Sequence, residues 1–259
     1  MTATHPPIYL ATVALEKNRW ASDRSPTFLV SDWLAAIADA GFDGVELWEN
    51  HALRADAAER DRLAAAPLPI TLYNTYCGFD DDQADARHTA ATMAKSLGAR
   101  GCKFNLGGDA TKRDEYVRNL RAWRDQWSDD ADVLCECHAG TVAQIPEDAR
   151  QALRDAGDRF GIMLHAFNMA DDDIRLWFDH FGDQVRHIHV QCVGEQKQRV
   201  ALSSIRDRAR SAVATLKSAG FNGSFAIEFV EGTGSPDESV ERLFAAAVRE
   251  LTTLRELLT

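Results

Sequence analysis

Eight short runs rich in β-branched and aromatic residues alternate with longer amphipathic stretches along the whole chain. Such alternation specifies an α/β architecture built from parallel strand–helix units. The expected strands are Ile8–Val13, Gly44–Trp48, Ile70–Tyr76, Gly101–Leu106, Val133–His138, Gly161–Phe167, Val185–Gln191 and Ser224–Val230. Between them the periodicity predicts helices over Ser31–Ala40, Asn50–Ala66, Gln83–Leu97, Thr111–Trp127, Glu147–Ala156, Asp172–Phe181, Ser203–Ala219 and Asp237–Leu258. Ser31 is placed to cap the first helix, and Gly41, Gly98 and Gly220 stand where helices should stop. Two doubly wound halves would carry a glycine-rich phosphate loop after the first strand, and neither GxGxxG nor GxxxxGK(S/T) occurs. The pattern therefore predicts a (β/α)8 TIM barrel, one α/β domain over residues 1–259.

Four of the later strands end in residues able to bind a metal: Glu136, His165, His189 and Glu228. They recur at intervals of roughly 25–40 residues, the length of one strand–helix unit. Side chains alternate across a strand, so fixing Glu136 inward also turns Leu134 and His138 inward and sends Cys135 and Cys137 toward the helices. The same parity groups His187, His189 and Gln191, and turns Glu228 inward with Ala226 and Val230 while Phe225, Ile227 and Phe229 face out. Glu46 and Trp48, Asn74 and Tyr76, and Lys103 and Asn105 join the inward set. Barrel interiors are normally Val, Ile and Leu, and an isolated buried polar group is costly, so this concentration near strand ends points to a site.

The formal net charge of -11 disfavours nucleic acid, which needs a basic face. No apolar run reaches the ~20 residues that span a bilayer. The start, MTATHPPIYL, lacks the basic residues and apolar stretch of a signal peptide, so a cytoplasmic location is expected. Cys77, Cys102, Cys135, Cys137 and Cys192 form no CxxC pair and read as reduced core residues.

GFDGVELW at Gly41–Trp48, ECHAGT at Glu136–Thr141, RHIHVQ at Arg186–Gln191 and GSFAIEF at Gly223–Phe229 resemble the xylose-isomerase-like TIM barrels, sugar (phosphate) isomerases and epimerases. The resemblance runs from about Ile8 to the C-terminus. It implies that Glu136, His165, His189 and Glu228 hold one divalent metal. His165 departs from the family, which has aspartate there, and Asn168 replaces a histidine that often follows it. Imidazole for carboxylate removes one negative charge and softens the site, which favours Mn2+, with Co2+, Fe2+ or Zn2+ also suited, over Mg2+.

The resemblance further implies a sugar or keto-sugar substrate and proton abstraction through an enediolate, with Glu136 and Glu228 as the base and acid pair. Glu46, Trp48, Tyr76, Lys103, Asn105, His138 and Gln191 are the candidate substrate contacts. Arg199 joins them as a loop residue that resembles an arginine relatives bring to the substrate. A metal-dependent lyase, dehydratase or C-glycoside-cleaving, would share the enolate chemistry. A non-catalytic ligand- or partner-binding barrel is the alternative of another class. Endonuclease-IV-like chemistry would need a histidine-rich three-metal cluster and a basic face, which this acidic chain lacks. A homo-oligomer or partner subunit is neither required nor excluded by the sequence.

Overall fold

A computed structural model describes residues 5–259. Strands β1 (Ile8–Ala11), β2 (Gly44–Trp48), β3 (Ile70–Asn74), β4 (Gly101–Phe104), β5 (Asp132–Glu136), β6 (Gly161–Leu164), β7 (Val185–Gln191) and β8 (Ser224–Phe229) pair in sequential order, all parallel. β8 closes back on β1, with Ile8 opposite Phe225 and Leu10 opposite Ile227. The intervening helices are α1 (Leu34–Asp39), α2 (Glu49–Leu53), α3 (Ala57–Ala64), α4 (Ala84–Ser96), α5 (Arg113–Arg124), α6 (Pro146–Ala156), α7 (Asp171–Phe181), α8 (Arg206–Ser218) and α9 (Val240–Leu258). The expected barrel is the observed one.

The differences lie at element ends. Several strands stop one to three residues earlier than periodicity predicts, leaving Tyr76, Asn105, His138 and His165 on the loops that leave the barrel. The expected helix over 50–66 is broken into α2 and α3, because Asp56 accepts a hydrogen bond from Glu59 N at 2.8 Å and starts a new helix. Ser31 caps nothing. It sits in a tight 3-10 turn and donates its hydroxyl to the buried Glu59 carboxylate at 2.5 Å. Gly41 and Gly220 do end their helices, with φ of 96° and 83°, a region that disfavours any residue with a Cβ.

Outward-facing strand residues such as Cys135, Ile162, Ile188 and Phe225 pack against the helices in one continuous apolar layer. Inside the barrel, Leu72, Leu134 and Met163 form a separate apolar plug. The polar side chains of the candidate site stand above it, toward the C-terminal strand ends where barrel enzymes carry their chemistry. Among the described residues no helix is long and apolar enough to cross a membrane.

α9 also fixes a loop of the rim. Its Glu250, 5% exposed, accepts the Leu202 amide at 2.9 Å and so anchors the segment between β7 and α8. Burial pushes the Glu250 carboxyl up from the ordinary 4.5 to about 7. A carboxyl raised on folding stabilises the fold while it stays protonated, so its contribution is complete below about pH 4.5 and is lost as pH rises through 7. Urea unfolding should show wild type losing up to about 3 kcal/mol relative to Glu250→Gln between pH 5 and pH 8. A difference independent of pH would refute the assignment.

Candidate metal centre

Glu136, His165, His189 and Glu228 converge as the sequence predicts, with one ligand atom from each lying within 4.8 Å of every other. His189 sits at the middle of the group. Its Nδ1 is 3.1 Å from Glu228 Oε2 and 4.0 Å from Glu136 Oε1, and its ring lies 5.3 Å from the ring of His165. His165 Nε2 in turn donates to Glu136 Oε1 at 2.8 Å.

Each of these groups is held by a neighbour. Glu136 Oε2 accepts from Lys103 Nζ and from Asn105 Nδ2, both at 2.8 Å, and Lys103 also donates to Asn105 Oδ1 at 3.0 Å. Gln191 Nε2 donates to Glu228 Oε2 and to His165 Nδ1, both at 2.7 Å. Beneath them Glu46 Oε2 accepts from His189 Nε2 at 2.9 Å, while its Oε1 accepts from Asn74 Nδ2 at 2.6 Å. His187 Nε2 lies 3.3 Å from the same Glu46 oxygen, and Ser224 Oγ holds its Nδ1 at 2.8 Å.

Burial opposes charge at Glu136, Lys103, Glu46 and His189, and at these four the partners outweigh it. Burial acts against the Glu136 carboxylate, yet Lys103 and His165 hold it well below the usual range. Burial likewise acts against the Lys103 ammonium, which Glu136 keeps protonated. Glu46 stays ionised because His189 and His187 outweigh its burial. Burial would lower His189, but Glu228 and Glu46 raise it well above an ordinary histidine. His187 has burial as its strongest influence and is shifted down, so it is the neutral ring of the pair.

His189 carries the test of whether a metal fits. With Nε2–H committed to Glu46, Nδ1 is left facing Glu136 and Glu228, fully buried and without a hydrogen-bond partner. A carboxylate behind one imidazole nitrogen and an unpaired nitrogen in front is how proteins orient a metal-ligating histidine. Two carboxylates and two imidazoles suit a first-row divalent ion. The residues present therefore fit such an ion. Glu46, His187 and His189 also lie close enough to form a second ligand group beneath the first, and it shares His189 with it.

The predicted substrate contacts divide. Glu46, Lys103, Asn105 and Gln191 are orienting residues whose polar atoms are committed to the ligand set. Trp48 is 1% exposed and packs with Ala11, Val13 and Phe229 at the rim. Tyr76, 39% exposed, lies with its ring 4.1 Å from Lys103 Nζ, and Arg199 lies half-buried over Phe229 at 4.9 Å. His138 does not join the site. β5 ends at Glu136, alternation ends with it, and the exposed ring turns back to Ala139 O at 2.7 Å. Asn168 lies outside the ligand set as well and holds the Val193 amide at 3.0 Å.

Phe229 also departs from its parity. The register shifts between Val190 and Gln191, placing Gln191 opposite Phe229, so Phe229 packs at the rim while Val230 joins the helix-side core. Nothing in the sequence of β8 signals that irregularity. His187 and Asn74 were legible as inward residues, but not as supports for Glu46.

The sequence pattern of the xylose isomerase-like TIM barrel matches residues 34–251. The chain belongs to that family. No curated protein is matched by sequence. Solved structures share the fold at low identity. A xylose isomerase-like barrel from Mycobacterium smegmatis in complex with magnesium is 15% identical, with 98% of each chain covered and a TM-score of 0.63. A 3-keto-D-glucoside 4-epimerase from E. coli is 14% identical, covering 97% of this chain and 99% of its own, at 0.66. The IOLI protein with a bound zinc atom is 12% identical, with 97% and 98% covered, at 0.68.

The role of Glu46 behind His189 is directly measurable. Glu46→Gln leaves the size of the side chain unchanged but removes the charge that aligns Nε2–H. Mn2+ affinity, read by chelator competition, should fall by roughly 10–100-fold. An affinity unchanged within twofold would show that Glu46 does not orient the ligand.

Proposed function

We propose that this protein is a divalent-metal-dependent isomerase or epimerase of sugars or keto-sugars. The observation that carries the reading is the opposition of Glu136 and Glu228 across the unpaired Nδ1 of His189. A divalent ion held by Glu136, His165, His189 and Glu228 would act as a Lewis acid, acidifying the C–H beside a substrate carbonyl. Mn2+ suits the mixed ligand set best, with Mg2+, Co2+, Fe2+ or Zn2+ as alternatives.

The two carboxylates differ in their freedom to move a proton. Glu136 is engaged by Lys103, Asn105 and His165, and is held strongly ionised. A carboxylate so stabilised is a weak base. Glu228 accepts only through Oε2 among the described residues, leaving Oε1 for a substrate proton. Glu228 therefore abstracts the proton, forming its carboxylic acid and an enediolate. The Glu228 acid returning its proton to the neighbouring carbon gives the isomer; a solvent proton delivered from the Glu136 side, with the Glu228 proton released to solvent, gives the epimer. Lys103, kept protonated beside Glu136, adds positive charge next to the developing enediolate.

A 3-keto-D-glucoside is the substrate of one structural relative, and keto-sugars head the set to be screened. Five buried free cysteines fit a reducing, cytoplasmic setting.

In D2O, with Mn2+ present, wild type should exchange a carbon-bound proton of its ketose substrate. Glu228→Gln should slow that exchange by about 10²–10⁴-fold with circular dichroism unchanged. Exchange at the wild-type rate would remove Glu228 as the base, and release of water or an aglycone as the sole product would move the reaction to the lyases. His165→Asp restores the carboxylate of the family pattern. Competition titration should then show Mg2+ gaining about tenfold on Zn2+, because the added charge favours the harder ion; no change in the ratio would show that His165 does not set metal preference.

A further inference from the structure

Two features at the rim have no role in the metal centre. Trp20, on the loop after β1, is 60% exposed, the most exposed of the large apolar side chains. Its ring packs on Phe229 at 5.7 Å with a tilt of 48°. Phe229 follows Glu228 directly in the chain, so this aromatic step rises from the edge of the candidate centre. The second feature is Arg199. Its guanidinium is half-buried over the same Phe229 ring at 4.9 Å, and makes no hydrogen bond or ion pair with any described residue.

Both features are held in place. Arg19 donates from Nε to Val13 O at 2.9 Å and from its terminal nitrogen to Ala14 O at 3.2 Å. It also pairs with Glu238 at 2.5 Å, tying the loop after β1 to the loop after β8. The Arg19 guanidinium then lies 5.2 Å from the Trp20 ring. Gly234 passes close by, where even a methyl group would stand 3.5 Å from Trp20. Arg199 is fixed by an antiparallel bridge to Val193, and by the Glu250 contact three residues beyond it.

Arg199, with no hydrogen-bond or ion-pair partner among the described residues, has donors free for a ligand, and an exposed indole leaves a large apolar face in water. One ligand group that brings a flat face and oxygen acceptors would engage both. A protein partner fits poorly. The patch is a few side chains wide, against roughly 800 Å² on each partner of a stable interface. A ring joined to the reacting sugar fits its size and its continuity with the site.

We propose that the rim between β1, β7 and β8 is a second ring subsite, and that the substrate is a glycoside. Its aglycone ring lies on Trp20 and Phe229, and Arg199 donates to oxygens of the aglycone or the glycosidic link. The inference rests on the sugar reading above and names the substrate class of that same site.

Calorimetric titration of the Mn2+-loaded protein with phenyl and methyl β-D-glucosides tests it. Wild type should bind the phenyl glucoside about tenfold more tightly than the methyl one. Trp20→Ala should erase that preference, Trp20→Phe should keep most of it, and Arg199→Met should reduce it. Equal affinities in wild type, a preference that survives Trp20→Ala, or no binding of either glucoside would overturn the subsite. Proton exchange with a free ketose keeps the two ideas separate. Exchange without a phenyl preference rejects the subsite alone, and a phenyl preference without exchange rejects the reaction alone.

Discussion

Three carboxylates buried around a single imidazole set the terms for the rest of this barrel. Glu46, Glu136 and Glu228 are each less than 9% exposed, and all approach His189 within 4.0 Å. Unpaired buried charges of that number would cost far more than a fold of marginal stability can bear. Lys103 returns one positive charge by direct contact with Glu136. The remaining charge of minus two is what one divalent cation neutralises. Without an ion, a proton held on His189 offsets part of it, which is why that histidine is driven so strongly toward its charged form.

That balance also accounts for the hydrogen bonds that join the inward polar residues to one another. Lys103 and Asn105 hold one oxygen of Glu136, Gln191 joins Glu228 to His165, and Asn74 with His187 braces Glu46. These contacts hold Glu136, Glu228 and His189 in place, whereas His165, bonded through both ring nitrogens, would have to release one bond to ligate an ion. His165 belongs to the same economy of charge. An aspartate in its place would raise the uncompensated charge to minus three, whereas the imidazole donates to Glu136 and accepts from Gln191. The departure from the family pattern is thereby built into the hydrogen-bond network and is not an isolated exchange.

The barrel and the convergence of Glu136, His165, His189 and Glu228 were legible because both depend on periodicity within strands, where alternation of side chains is enforced by backbone geometry. His138 was misplaced because it lies two residues past the end of β5, where no such rule applies. Phe229 was misplaced by a register shift between β7 and β8, a property of two strands together. Partner identity was illegible for a related reason. Glu46 and His189 stand 143 residues apart, and only the closed barrel brings them together. Parity placed Glu46 inward but could not distinguish a residue facing substrate from one lying beneath a ligand.

The loops above the strands do different work from the floor. The floor is one shared hydrogen-bond network centred on His189 and Glu136. The rim is joined loop to loop, by Arg19 to Glu238, by Asn168 to Val193 and by Glu250 to Leu202. Each tie links a loop to a different element. A rim set in advance discriminates among ligands by shape at little ordering cost. The same argument separates the two kinds of change that substitution can make. Altering one floor residue disturbs its neighbours as well, because their hydrogen bonds are shared. Trp20 and Arg199 share no hydrogen bond with that network, so the proposed subsite can be altered without cutting it.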